Sequence, residues 1–524
     1  MKKRIISLTV LALGTLTGLA ETYYIAPTGN DRGAGSESSP FATLAPIQGK
    51  LRGGDTVYFR GGTYRVTLDQ SMGVTRNLYQ CAFILDRSGQ EGAPITYSAY
   101  PGERPVFDMS GFRPDGKRVS VFFVTGSWLH LRGLEVIGTQ VTVNDGSNTQ
   151  SECFTNYGGS HNVYEQLSMH DGMAIGWYLT KGSDNLVLNC DAYNNYDDLN
   201  KGGNVDGFGC HPGQGDTGNV LRGCRAWWNS DDGFDLIHSG EAVSIEDCWA
   251  FYNGFRPNSF KSAADGNGFK AGGYGMSEDS KIAAVIPMHK VTNCLAVYNR
   301  AGGFYSNHHL GGVAFINNTA VENRINFNMV NRKSADEPVD VAGYGHVLAY
   351  NVSYDAREAD LRNFDATLSK GVFNSFLGYN LTLSNADFVS VDRDLLVAPR
   401  NEDGSLPDNG LFVPTPESPL TQYKLGWTFP APSITEITNP GDDGTSSLSS
   451  WLMVPTIVVE GTEARLSGPL GTEQATTFYV NGVKVKLSKG VANLAEYIGQ
   501  TVTLKAYDST TGLVATMKTT VKDK

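Results

Sequence analysis

Four carboxylates and one amine stand out in this chain, because they sit at matched offsets around a recurring Gly-Phe pair. The segments read Val-Asp206-Gly207-Phe208-Gly209, Asp231-Asp232-Gly233-Phe234-Asp235, Asn267-Gly268-Phe269-Lys270 and Gly302-Gly303-Phe304-Tyr305. If the Gly-Phe pairs stack, Asp206, Asp232 and Asn267 share one column and Asp235, Lys270 and Tyr305 another, with Asp231 beside Asp232. Acids after a turn are ordinarily solvated, but four of them crowded on adjacent layers repel strongly unless a cation offsets them. Oxygen-only ligands without His or Cys favour a hard ion, and Ca²⁺ accepts irregular carboxylate sets better than Mg²⁺. Asp231 and Asp232 would point to opposite faces of a regular strand, so both reach one ion only at a turn or bulge, which Gly233 permits. A lysine held near such an ion has its charged form disfavoured and its pKa lowered, which fits it to act as a general base.

The elements that must position these groups follow from an internal repeat. Segments beginning Cys190-Asp-Ala-Tyr-Asn, Cys224-Arg-Ala-Trp-Trp, Cys248-Trp-Ala-Phe-Tyr, Cys294-Leu-Ala-Val-Tyr and Asn318-Thr-Ala-Val-Glu all run to an Asn five residues on, with fainter copies at Asn351 and Asn380. The anchors are spaced 34, 24, 46 and 24 residues apart, which fits a coil of roughly 23–24 residues with insertions. Each copy alternates like a strand and ends in Asn, a residue that tolerates a left-handed turn. Strand, turn and strand at that period predict an all-β parallel β-helix, with layers about 4.8 Å apart. The Cys and Ala columns are expected to face inward, the thiols packing as small hydrophobes rather than forming disulfides.

Residues 1–20 read as a signal peptide, with Lys2, Lys3 and Arg4 followed by an apolar run. No later stretch reads as a membrane span, so the chain is expected to be exported, whether secreted, surface-held or periplasmic. Without those three basic residues the formal charge falls from -12 to -15, which argues against a general nucleic-acid field and makes a local cation necessary for any acidic polymer partner. Residues 21–125 are expected to cap and start the helix, 126–420 to form its catalytic body, 421–450 to be a linker by composition, and 451–524 to form a small β-sandwich-like domain.

The Asp206-Gly, Asp231-Asp232-Gly-Phe-Asp235 and Asn267-Gly-Phe-Lys270-Ala-Gly-Gly set resembles polysaccharide lyase family 9, the pectate-lyase-like right-handed parallel β-helix enzymes. The likeness runs from about residue 22 to about residue 420 and takes in the segment from Pro399 to Pro407. It implies that Asp206, Asp231, Asp232 and Asp235 bind a catalytic calcium and that Lys270 abstracts the proton. The implied reaction is β-elimination in a galacturonate-containing plant cell-wall polysaccharide, homogalacturonan or rhamnogalacturonan I. Activity should need calcium and rise towards alkaline pH. Arg256, Lys261, His308 and Arg324 are candidates for gripping substrate carboxylates, and the enzyme is expected to act as a monomer. Two other readings compete: a polygalacturonase-type hydrolase using Asp231 and Asp232 as acid and base, and a non-catalytic binding solenoid whose acids hold a structural calcium.

Overall fold

The computed structural model describes residues 20–143, 150–273, 286–334, 337–432, 456–467, 476–488, 490–508 and 514–523. The signal-peptide segment up to residue 19, residues 433–450 of the expected linker and residues 451–455 of the expected C-terminal domain lie outside them.

Three long sheets, of twelve, ten and eleven strands, run the length of the main body. One coil contributes Leu186–Leu188 to the first sheet, Asp191–Tyr193 to the second and Phe208–Cys210 to the third. The next contributes Val220–Arg222, Arg225–Trp227 and Phe234–Asp235, each paired in parallel with its predecessor. The result is a right-handed parallel β-helix. The first sheet already begins at Thr22–Ile25 and Thr56–Phe59, so residues 21–125 are its opening coils, continuous with the rest.

The interior is built from ladders. Phe208, Phe234, Phe269, Phe304 and Phe327 stack ring on ring at 4.8–5.0 Å, within the range of favourable offset stacking. Ala192, Ala226, Ala250, Ala296 and Ala320 align on the second sheet. All seven cysteines are buried and unbridged. The thiols do more than fill space: Cys248 Sγ accepts from the Cys224 amide at 3.3 Å and Cys294 Sγ from the Cys248 amide at 3.4 Å. Asn318 then takes over the column, accepting from the Cys294 amide at 2.9 Å and passing the ladder to Asn351 and Asn374. The copy expected at Asn380 is therefore displaced, since Asn374 is the ladder residue.

The second Asn column, Asn195, Asn229, Asn253, Asn299 and Asn323, is joined amide to amide at 2.9–3.2 Å. These residues do not adopt the left-handed conformation expected of them. Their predecessors do: Asn194, Trp228, Tyr252, Tyr298 and Glu322 all have φ between 51° and 58°. Each corner turns one residue early, which frees the Asn side chain to point inward along the stack.

The Gly-Phe glycines are required for a related reason. None of Gly207, Gly233, Gly268 and Gly303 has positive φ. A Cβ on Gly233 would lie 2.7 Å from the Gly268 carbonyl oxygen and 2.9 Å from Asn253 Nδ2. The side chain is excluded by the next coil and by the Asn ladder, not by the turn. Gly233→Ala is expected to cost about 1–3 kcal/mol, read as a lower midpoint in chemical unfolding; an unchanged midpoint would contradict this account of the glycine.

The outer face of the second sheet is covered by the chain that follows the last coil. Leu396, Leu411, Phe412, Leu420 and Leu425 bury against Trp249, Phe251, Leu295 and Val297. Arg400 pairs with Asp191 at 2.6 Å, and Arg225 pairs with the same carboxylate at 2.9 Å while donating to the Ala398 carbonyl at 2.8 Å. Burial alone would raise the Asp191 carboxyl, but Arg400 and Arg225 outweigh it and hold the group below its ordinary range. Asn293 and Asn317 bind carbonyls at Trp427 and Phe429, so residues 421–432 dock on the helix and are not linker. Beyond the linker, two four-stranded antiparallel sheets enclose a separate core of Ile457, Ala464, Phe478, Val480 and Leu504, the small β-sandwich-like domain.

Candidate active site

The register of the third sheet places one outward-facing column in order: Tyr178, Gly209, Asp235, Lys270, Tyr305, Asn328 and Arg362. Beside it, in the loops entering the same strands, runs a second ladder. Asp206 Oδ1 accepts from the Asp232 amide at 3.0 Å. Asp232 Oδ1 accepts from the Asn267 amide at 2.6 Å and from Asn267 Nδ2 at 2.9 Å. Asn267 Oδ1 in turn accepts from the Gly302 amide at 3.0 Å. Both expected columns exist, and the acids form part of the hydrogen-bonded stacking itself.

One oxygen of each ladder acid is thus committed to the backbone, leaving the other for chemistry. Asp206, Asp232 and Asp235 are buried and bring carboxylate oxygens within 4.8 Å of one another. Lys270 Nζ lies 2.9 Å from Asp235 Oδ2 and 3.1 Å from Asp232 Oδ2. Asp232 Oδ2 is fully buried, and Lys270 approaches it outside hydrogen-bond alignment, so this oxygen has no hydrogen bond. A buried carboxylate oxygen without a hydrogen bond, in a triad of acids, fits an ion that binds through oxygen.

The electrostatics agree. Burial, and then the neighbouring carboxylates of Asp235, Asp231 and Asp232, push the Asp206 carboxyl well above its ordinary value. Burial and Asp232 push Asp231 up to about 8. Burial also raises Asp232, against the pull of Lys270. Lys270 moves the opposite way from the sequence expectation. Burial would lower it, but Asp235, Asp232, Asp206 and Asp231 together hold it well above its ordinary value. The lowered pKa presumed a cation among the acids; with only the acids as neighbours, the ammonium is their counter-charge.

Asp231 plays a different part from its neighbour. Its Oδ2 accepts from the Asn204 amide at 2.8 Å and its Oδ1 from the Asp265 amide at 3.0 Å. It ties two loops to the centre and groups with Asp232 and Asp265 rather than with Asp206 and Asp235. Asp265 was not foreseen, because the insertion after Asn253 hides its register with the preceding coil.

The four candidate substrate contacts stand apart from the acids. Arg256 stacks over the Tyr196 ring at 5.2 Å, and Lys261 is exposed on the same small hairpin. His308 Nε2 pairs with Asp340 at 3.1 Å, and Arg324 with Glu358 at 2.5 Å. Among the described residues no hydrogen bond or ion pair joins any of them to the acid cluster. Two residues the sequence did not single out do adjoin it. His211 Nε2 is 3.9 Å from Asp235 Oδ1, and His211 Nδ1 lies 3.2 Å from the Tyr178 hydroxyl. Burial pushes the His211 imidazole down to about 4.

Residues 23–343 match the family described as "Pel9A-like, right handed beta helix region". The chain belongs to the Pel9A-like β-helix family. Over 400 residues it is 35% identical to pectate lyase L of Dickeya dadantii (strain 3937), covering 74% of this chain and 83% of that one. Over 426 residues it is 30% identical to pectate lyase PEL9 of Emericella nidulans, covering 76% and 93%. Among solved structures, a rhamnogalacturonan lyase superposes with a TM-score of 0.74 at 46% identity, over 78% of this chain and all of that one. The crystal structure of pectate lyase Pel9A gives 0.61 at 32% identity, over 82% and 95%. By this Pel9A-like membership the chain is a polysaccharide lyase, and the column centred on Asp235 and Lys270 is its candidate active site.

Proposed function

We propose that this chain is an exported, calcium-dependent lyase that cleaves a galacturonate-containing pectic backbone by β-elimination, with Lys270 as the base. The observation that carries the reading is the contact of Lys270 Nζ with Asp235 and Asp232 at 2.9 and 3.1 Å on the outward column of the third sheet. A base held among acids that can bind a cation suits a substrate whose carboxylate lies next to the carbon to be deprotonated.

Asp206, Asp232 and Asp235 would hold the ion, with Asp231 closing the set through the two loops it pins. Bound there, calcium would offset the acids, engage the substrate carboxylate and stabilise the negative charge that develops on it. The acids then no longer keep Lys270 protonated, and its neutral amine takes the proton from C5 of the galacturonate. The electron pair of that C–H bond forms the C4–C5 double bond and expels the glycosidic oxygen at C4, which is protonated from water. Asn267 keeps Asp232 oriented through two hydrogen bonds while this happens.

The relatives named as pectate lyases and rhamnogalacturonan lyase support both polymers as substrates, and both present the same C5 proton. The test is incubation with pectate and with rhamnogalacturonan I, with calcium or with chelator, while recording ultraviolet absorbance of the unsaturated uronate. Absorbance that needs calcium and grows faster as pH rises is the expected result. New reducing ends without absorbance would make the enzyme a hydrolase, and no reaction on any uronate polymer would favour a binding solenoid.

A further inference from the structure

The first Gly-Phe copy carries Gly209 at the place where the next three carry Asp235, Lys270 and Tyr305. The vacancy is filled by the preceding member of the column, Tyr178, and by His211. A Cβ on Gly209 would lie 2.7 Å from Tyr178 Cδ2 and 3.7 Å from His211 Nε2, so the Tyr178 ring occupies the space that a side chain at 209 would take and His211 borders it. They meet edge to face, with centroids 5.0 Å apart and planes at 81°. The Tyr178 hydroxyl is 3.2 Å from His211 Nδ1. A neutral imidazole that turns its Nε2–H toward the Asp235 carboxylate leaves Nδ1 to accept from the Tyr178 hydroxyl.

His211 Nε2 is buried and makes no hydrogen bond, and it faces Asp235 Oδ1 at 3.9 Å. The same carboxylate oxygen accepts from the Ile237 amide at 2.7 Å, while Oδ2 meets Lys270. His211 therefore borders Asp235 at the oxygen that the Ile237 amide also holds, while the lysine meets the other.

We propose that Tyr178 and His211 form a positioning pair, seated in the gap left by Gly209, that orients Asp235 and thereby sets how tightly the acid cluster binds a divalent cation. This rests on the cation-binding role given above to Asp206, Asp232 and Asp235. Groups that hold a metal-binding carboxylate from behind typically change affinity by about 10- to 100-fold when removed.

The experiment is calorimetric titration of calcium into the cation-free full-length protein, for wild type, His211→Leu, His211→Gln and Tyr178→Phe, alongside thermal unfolding of each cation-free protein. His211→Leu is expected to weaken calcium binding about 10-fold or more. His211→Gln, whose amide can donate from nearly the same place, should recover part of that loss. Tyr178→Phe, which frees the imidazole to turn, should weaken binding without lowering the cation-free melting temperature. Wild-type affinity in His211→Leu and Tyr178→Phe overturns the proposal. So does weakened binding that the Gln variant does not recover and that follows the loss of melting temperature, because that is packing alone. A wild-type protein that binds no calcium overturns the cation reading itself, and this inference with it.

Discussion

Replacing Lys270 with alanine is expected to reduce turnover by about 10²- to 10⁴-fold, the range that a positioned general base contributes. The expectation follows from placement. Lys270 is the basic side chain of the column that contacts the acids, flanked by Asp235 on one coil and Tyr305 on the next. The substitution should also reveal the second role of the amine. In the cation-free protein Asp232 and Asp235 lose their counter-charge, so the melting temperature should fall, and calcium should restore it. Lys270→Arg separates the roles: a guanidinium keeps the charge but does not lose its proton, so turnover falls as in the alanine variant while the cation-free stability is largely kept. Turnover of Lys270→Ala near the wild-type rate on pectate or rhamnogalacturonan I would remove Lys270 as the base.

Asp232→Asn should be nearly as damaging, through the cation rather than the base. Asp232 Oδ1 accepts two hydrogen bonds from Asn267, which the amide oxygen of Asn can also accept, so the loops need not move. The lost feature is the buried Oδ2, which has no hydrogen bond, and its charge. Calcium affinity is expected to drop by at least about 100-fold, beyond what a group outside the ligand set contributes, and turnover at ordinary calcium should fall with it. Asp231→Asn makes the contrast. Both Asp231 oxygens accept backbone amides, so an amide nitrogen in one of those places would oppose a donor with a donor, loosening the loops at Asn204 and Asp265. Its melting temperature should fall more than that of Asp232→Asn. Equal calcium affinity in wild type and Asp232→Asn, by titration calorimetry, would contradict the assignment.

Much of this centre was legible in the residues because a solenoid turns sequence offsets into spatial columns. Phe208, Phe234, Phe269 and Phe304 fix the register, and with the register known, Asp206 must lie under Asp232 and Asp235 beside Lys270. What failed to show has physical causes. The Asn corner residues looked like the left-handed positions, yet Trp228, Tyr252 and Tyr298 adopt that conformation instead, because the Asn amides are needed inside the ladder. Asp265 was hidden by the hairpin inserted between Asn253 and Asn267. Tyr178 was missed because its coil carries Gly-Trp in place of Gly-Phe, and His211 because it lies two residues beyond the matched offset at Gly209. Arg324 and His308 looked available in the sequence, but Glu358 and Asp340 already hold them. Partners forty or fewer residues away still cannot be read from spacing once the coil is interrupted.

The most direct measurement is a crystal structure of the Lys270→Ala protein with calcium and a galacturonate-containing oligosaccharide, which the variant should bind without cleaving. The account predicts one calcium coordinated by carboxylates of Asp206, Asp232 and Asp235 and by a galacturonate carboxylate, with the C5 hydrogen of that sugar facing the space the amine occupied. Calcium bound away from these acids, or a sugar whose C5 hydrogen points away from position 270, would contradict it.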